Sequence, residues 1–441
     1  MIGLRLLAAL AALVVSASAQ AISVVEVKSP NGIAAYLAED HSSPVVAITF
    51  TFSGGSALEP DDKQGVSQLA AGLFDEGAGD MDAFAFQSAL EDRAISFNVN
   101  VDRDRIHGQV TTTTPTLADA VKYARLALTQ PRFDQDAIER VRREILVGIS
   151  AREEVPGRLA GRKLFADLFG NHPYAREEDG TAKTVGSITR ADIQAWAKTH
   201  LTRDRILVGA AGDISPAQLA GVLDDLFGGL PATSPLPMTA PPAVVSATPK
   251  VDRIVRDLTQ TTISIGAPGI ARSDPDWYAA TVADYILGSG SFASRLMNEV
   301  REKRGLAYSV SSSLSPFEAG AIITFGAGTR SDQAEQSLMV IRDEIGKMRD
   351  PGATQAEVDG AKQYLTGAWP LRFTSTGRIA DLLVQIQHDH LGLDYLDRRN
   401  SLINAVTLDD VRRVSKRLYD PGNLTVVIVG PEAAAKPKAG G

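Results

Sequence analysis

Two of the side chains in this sequence best suited to chemistry on a carbonyl group stand seven residues apart. In VREKRGLAYSV, residues 300–310, Arg301 offers a planar, permanently charged fork of N–H donors and Tyr308 a phenol that can donate a hydrogen bond. Such a pair suits the holding of carbonyl oxygens and of negative charge that develops on them. On spacing alone the blander account weighs more: an arginine at a helix C-terminus favoured by the macrodipole, and a half-buried strand aromatic. The six histidines are His41, His107, His172, His200, His388 and His390. His388 and His390, two apart on a helix, point to different sides and read as polar surface residues. His172 precedes Pro173 in a turn, where a local hydrogen bond accounts for it, and His41 beside Asp40 reads as solvated. No cysteine is present, which removes thiolate nucleophiles, sulfur-ligated metals and disulfides. Serine elbows, phosphate loops and dinucleotide fingerprints are absent too.

The elements that must position these groups come in two copies. Residues 188–212 can be laid without a gap on residues 406–430, a shift of 218, and both read as helix, short turn and buried strand. The helical run 134–149 faces 354–368 at nearly the same shift, and the strand 45–52 faces 261–267. Between the copies, residues 231–250 hold six prolines and little periodicity, which predicts an extended, semi-rigid connector. The expected organisation is a repeat unit over 21–230, the linker 231–250, a second unit over 251–432 and a disordered tail over 433–441. Strands do not alternate strictly with helices, so each unit is expected to be α+β, a mostly antiparallel sheet packed with helices, the two in a pseudo-twofold arrangement.

At 441 residues and 44% hydrophobic composition the chain can fill two or more cores. It carries 45 basic against 53 acidic residues and no basic stripe rich in aromatics, which argues against nucleic acid as a partner. Arg5, the apolar run 6–15 and the small residues Ala17-Ser18-Ala19 predict a signal peptide over 1–20, and with it export, to the periplasm in the simplest case. Ten apolar residues fall short of the ~20 that a spanning helix needs, and no later segment is long enough.

Strand 45–52 leads through Gly54-Gly55 into GVSQLAAGLFDEG from Gly65. That order, the repeat, Phe169-Gly170-Asn171-His172-Pro173, Gly180-Thr181, Asp192-Ile193, Gly212-Asp213 and above all LGSGSFASRLMNEVREKRGLAYSV, residues 287–310, resemble the pitrilysin or insulinase-type zinc metallopeptidases, whose small members include mitochondrial processing peptidase. The resemblance spans roughly residues 22–432. Catalytic members carry H-x-x-E-H on the first of these helices, two imidazole ligands and a general base on one face, with a glutamate ligand on a later helix. The matching positions here are Gln68, Ala71 and Gly72, and the later one falls on Gly148. None of the four supplies an ordinary zinc ligand or a base. Asp75 and Glu76, which end the degenerate helix, read as solvated charges.

The second-half motif, by contrast, is retained. The resemblance implies that Arg301 and Tyr308 project toward a substrate held at zinc, with Gly288 and Gly290 as turn residues. It further implies that this chain binds no cofactor of its own, and that zinc sits in a homologous partner subunit with an intact H-x-x-E-H. The function implied is that of a non-catalytic subunit of a heterodimeric peptidase acting on peptides or unfolded polypeptides. The alternative is a catalytically silent scaffold or peptide-binding protein of the same fold.

Overall fold

The computed structural model describes residues 23–432; the expected leader over 1–20 and the tail over 433–441 lie outside the described residues. Thirteen strands are described: β1 (Val24–Lys28), β2 (Ala34–Glu39), β3 (Val45–Ser53), β4 (Gly77–Ala78), β5 (Met81–Asp82), β6 (Ser96–Val101), β7 (Arg105–Thr113), β8 (Ile206–Gly212), β9 (Lys250–Val255), β10 (Gln260–Pro268), β11 (Ala307–Pro316), β12 (Ala321–Arg330) and β13 (Thr425–Gly430). They form a six-stranded sheet, β1-β2-β8-β3-β7-β6, a five-stranded sheet, β11-β12-β10-β13-β9, and the small hairpin β4-β5. The series β2-β8-β3-β7-β6 and β9-β13-β10-β12-β11 share one order and one pattern of sense, parallel at the first pair and antiparallel at the other three. The two units are therefore α+β repeats of each other, and β1 is an addition to the first.

The repeat extends to local chemistry. Thr189 caps helix Arg190–His200 and Thr407 caps helix Leu408–Leu418; each threonine accepts from the third helical N–H, while Asp192 or Asp410 accepts from the cap N–H. Such a reciprocal cap satisfies two otherwise unpaired donors and holds the entry to the helix in both copies.

Strand β13 is buried along its whole length and β3 along all but its two end residues, because both of their faces are covered, and both are accordingly dominated by apolar residues. One face of each sheet meets the helices of its own unit. The other face meets a helix lent by the opposite unit: Pro156–Phe169 lies on β10 and β13, and Thr376–His388 lies on β8, β3 and β2. Leu164, Leu168 and Phe169 of the first helix share a core with Ile322, Val427 and Val429, and Ala380, Leu383 and Ile386 of the second share one with Ala38, Ala47 and Ala211. Close approach is needed at Gly209, where a methyl group would sit 2.3 Å from the Ala380 carbonyl oxygen. The connector 231–250 has no regular structure before β9 and is tied to both units. Buried Arg205 donates to the Leu236 carbonyl and, at 2.8 Å, to that of Pro237, while Ala243 N–H donates to the Ala319 carbonyl.

Candidate functional site

The helix at the degenerate motif is short, Val66–Ala71. It is entered through Gly65 at φ 91°, and the Glu59 carboxylate accepts from Gly65 N–H and Ser67 N–H, both at 2.8 Å. Burial pushes Glu59 up to about 7 despite those bonds. Gln68 spends its amide on the Val101 carbonyl at the end of edge strand β6, at 3.0 Å. Ala71 is buried. Gly72 lies against the helix Gln135–Arg152 so closely that a methyl group there would stand 2.9 Å from a methyl of Val141. Gly148, two turns beyond Val141 on that helix, faces open space. These positions cannot furnish a zinc site: one is an amide already engaged, one is a methyl group, and two lack side chains, while a Cβ at Gly72 would collide with Val141. Among the described residues no group of three or more His, Cys, Asp or Glu is placed to hold a metal ion.

Two readings at this helix and beyond need correction. Glu76 is not solvated: it is 6% exposed, pairs with Arg140, and accepts from Gln87 at 3.4 Å. The chain turns sharply after Gly72 and folds the carboxylates under, so that burial also pushes Asp75 up. His388 is not an ordinary surface residue either. Its ring bridges Asp389, at 2.9 Å, and Glu318 of the β11–β12 turn, at 2.7 Å, and these bonds raise its pKa to about 9. His172 does what its turn suggested, accepting from Tyr174 N–H at 3.1 Å while its other nitrogen donates to the Pro241 carbonyl at 2.7 Å. His41 lies between Glu39 and Asp213, exposed, and His200 is stacked on Trp196 and held neutral by burial, with its pKa near 4.

The Arg301–Tyr308 segment is built differently from an ordinary helix–strand junction. Residues Met297–Glu302 are wound wider than an α-helix, a form that recurs at functional sites, and Leu306 N–H closes the turn on the Val300 carbonyl at 2.9 Å. In β11, Ala307 pairs with Thr329 but Ser309 pairs with Gly328, so Tyr308 is the extra residue of a bulge. A bulge re-aims the side chain it carries. Tyr308 is 58% exposed, and its ring lies across Gly328, whose place a methyl group could share only at 2.2 Å from the ring. The Arg301 guanidinium lies over Phe292 at 4.9 Å, and the nearest carboxylate, Glu302, is 3.7 Å away, beyond hydrogen-bond reach. Beneath the turn, buried Asp284 accepts from Ser312 at 2.5 Å and fastens the preceding helix to β11; burial pushes it up to about 6. Gly288 is required there, since a methyl group would stand 2.4 Å from the Ser312 hydroxyl.

Tyr308 lines a cleft of about 600 Å³ with Thr262, Ser264, Ser311 and Pro156 of the exchanged helix. Arg301 does not line it; the two side chains stand at opposite ends of one turn. Phe292 and Gly328 were not singled out by the sequence, although Gly326 and Gly328, two apart on one strand, mark an open sheet face.

Residues 35–181 match the family described as Insulinase (Peptidase family M16), and residues 187–365 match the Peptidase M16 inactive domain. The chain belongs to the M16 peptidase family. A Helicobacter pylori relative named as the non-peptidase homolog YmxG is 26% identical over 401 residues, covering 89% of this chain and 90% of that protein. An uncharacterized zinc protease YmxG of Bacillus subtilis is also 26% identical, over 88% of this chain and 94% of its own. The crystal structure of a peptidase M16 inactive domain from Pseudomonas fluorescens superposes with a TM-score of 0.88 at 27% identity, covering 94% of this chain and 99% of that one. Within the M16 family this chain is of the inactive type, with both repeats kept and the metal positions replaced.

Proposed function

We propose that this chain is the non-catalytic subunit of a two-chain zinc peptidase, exported to the periplasm, and that it presents Arg301 and Tyr308 to a peptide bond attacked at the zinc site of a homologous partner with an intact H-x-x-E-H. The observation that carries this reading is the contrast within one chain: a bulge turns the Tyr308 phenol outward and Arg301 has no carboxylate within hydrogen-bond reach, whereas the four metal positions have no chemistry left. In that role the phenol donates to the oxygen of the scissile carbonyl as negative charge develops on it. The guanidinium holds a neighbouring peptide oxygen and contributes fixed positive charge. Loss of one such donor weakens catalysis by roughly a hundred- to a thousand-fold. Substrate enters as an added strand beside an open sheet edge, a mode that reads main chain more than sequence; β6 and β11 are such edges.

The test is reconstitution. Mixed with its partner, Tyr308→Phe or Arg301→Ala should lower peptide turnover by roughly a hundred-fold or more while the complex elutes unchanged. Full turnover in both variants would overturn the reading and favour a silent scaffold or peptide-binding protein. The Helicobacter pylori relative, named as a non-peptidase homolog, supports that alternative.

A further inference from the structure

A second cleft of about 600 Å³ lies on the C-terminal unit, and nothing in the Arg301–Tyr308 site accounts for its lining. Three guanidiniums face it, those of Arg372, Arg378 and Arg399, beside Trp369, Tyr364 and Leu371. None of the three arginines has a carboxylate partner within 4 Å among the described residues, although Arg398, one position away, is paired with Asp394 at 3.0 Å. The Arg399 guanidinium lies over the Trp369 ring at 4.5 Å and donates to the Leu365 carbonyl at 2.7 Å. Burial pushes its pKa down, and the like charge of Arg372 pushes the same way. The single acid in the lining, Asp381, is already accepting from Thr49 at 2.7 Å and from Gln109 at 3.1 Å, across the junction with the first unit.

Three guanidiniums gathered around a single carboxylate leave the cleft with net positive charge, which is held at a cost, most of all where one of them is partly desolvated. Arginine forks match carboxylates two bonds at a time, and arginine, tryptophan and tyrosine are the residues that most often anchor a bound chain. Tyr364 and Leu371 are 58% and 67% exposed, so the cleft adds open apolar surface to its charge. A chain of contacts links it to the turn described above. The Tyr364 ring packs on Tyr285 at 5.0 Å, and the Tyr285 carbonyl accepts from Gly290 N–H at the start of the turn that carries Phe292 and meets Arg301.

We infer that this cleft is a carboxylate-binding subsite, which takes an acidic side chain or the free C-terminus of a peptide together with an adjacent bulky apolar residue. The choice of a peptide as the carrier of the carboxylate rests on the function proposed above; the binding itself needs neither the partner nor zinc. An acidic peptide would thus be selected by this chain even though strand addition reads no sequence.

The experiment uses the full chain alone and fluorescence polarisation with a labelled octapeptide of apolar residues and two glutamates, its glutamine counterpart, and each of these with a free or an amidated C-terminus. The acidic peptide should bind at least about tenfold more tightly than the neutral amidated one, about 1.4 kcal/mol per tenfold. Arg372→Gln combined with Arg378→Gln should abolish that preference while leaving the melting temperature in place, since both side chains are exposed. A preference lost on amidation alone assigns the carboxylate to the C-terminus, and one lost with glutamine alone assigns it to a side chain. Equal binding of all four peptides, or a preference that survives in the double variant, overturns the inference. If that result came with impaired turnover in the Arg301 and Tyr308 variants, the proposed function would stand and only the subsite would fall.

Discussion

Gly328→Ala isolates the role of the Tyr308 phenol without touching the phenol. The added methyl carbon would stand 2.2 Å from the ring carbon Cζ and 2.3 Å from the hydroxyl oxygen. Nonbonded carbons rest about 3.5 Å or more apart, so the ring tip has to retreat by more than about 1 Å. The ring is 58% exposed and can swing aside without disturbing the core, so the cost to folding should stay under about 1 kcal/mol. Catalysis responds more steeply: a displacement of about 1 Å in a positioned group weakens turnover by roughly a hundred-fold, close to the loss of a donor outright. The expected outcome for the complex with the zinc-bearing partner is therefore an unchanged melting temperature and a hundred-fold lower kcat/KM. In a Tyr308→Phe background the same substitution should remove little more, because the hydroxyl it displaces is already gone. Gly326→Ala is the control, since a methyl group there meets nothing within 4 Å. Full activity in Gly328→Ala, or equal damage with and without the Tyr308 hydroxyl, would refute the positioned phenol.

Restoring the motif by Gln68→His, Ala71→Glu, Gly72→His and Gly148→Glu should still give less than one tightly held zinc per chain by metal analysis, because the new Cβ at position 72 collides with Val141; adding Val141→Ala should raise the stoichiometry toward one. Tight, stoichiometric zinc in the four-fold variant would show that packing is no obstacle. The His388 clamp should make stability depend on pH in a particular window. Its folded pKa of about 9 exceeds the ordinary 6.5, so its contribution is complete below about pH 6.5 and is lost as pH rises through 9. Thermal melts between pH 6 and 9.5 should therefore fall less steeply for His388→Gln than for the native chain, with Glu318, Asp389 and Arg105 left in place, and parallel curves would sink the assignment. Gly209→Ala drives a methyl group to 2.3 Å from the Ala380 backbone oxygen, where no side chain can yield, and should cost about 1–3 kcal/mol, read as a melting temperature lowered by several degrees.

The gross architecture was legible because it is written twice. The 218-residue shift carries the same cap, turn and strand, and two strings of residues that agree in this way can hardly fold into different units. The largely apolar strands were read as buried, and they are, but periodicity cannot say which helix does the covering, so the exchange of helices between units stayed hidden. The loss at Gln68, Ala71, Gly72 and Gly148 could be read position by position, since it concerns which atoms are present. The arrangement at Tyr308 could not, because a bulge depends on the register of β12 against β11 and leaves no mark in β11 itself. Glu76 and His388 were misread for a related reason. Each looks solvated beside its sequence neighbours, and each is claimed by a partner far along the chain, Arg140 in one case and Glu318 in the other.

The exchanged helices also decide where this molecule can open. Pulling the two repeats apart would bare Leu164, Leu168 and Phe169 on one side and Ala380, Leu383 and Ile386 on the other, together with the sheet faces they cover. At roughly 1.5–3 kcal/mol for each large side chain, that exceeds what a typical domain can spare. Each chain must then move as one stiff lobe. In the two-chain peptidase proposed above, a gate wide enough to admit a polypeptide would form along the seam between two such lobes, and the rate of admission would be governed by how firmly the subunits grip each other.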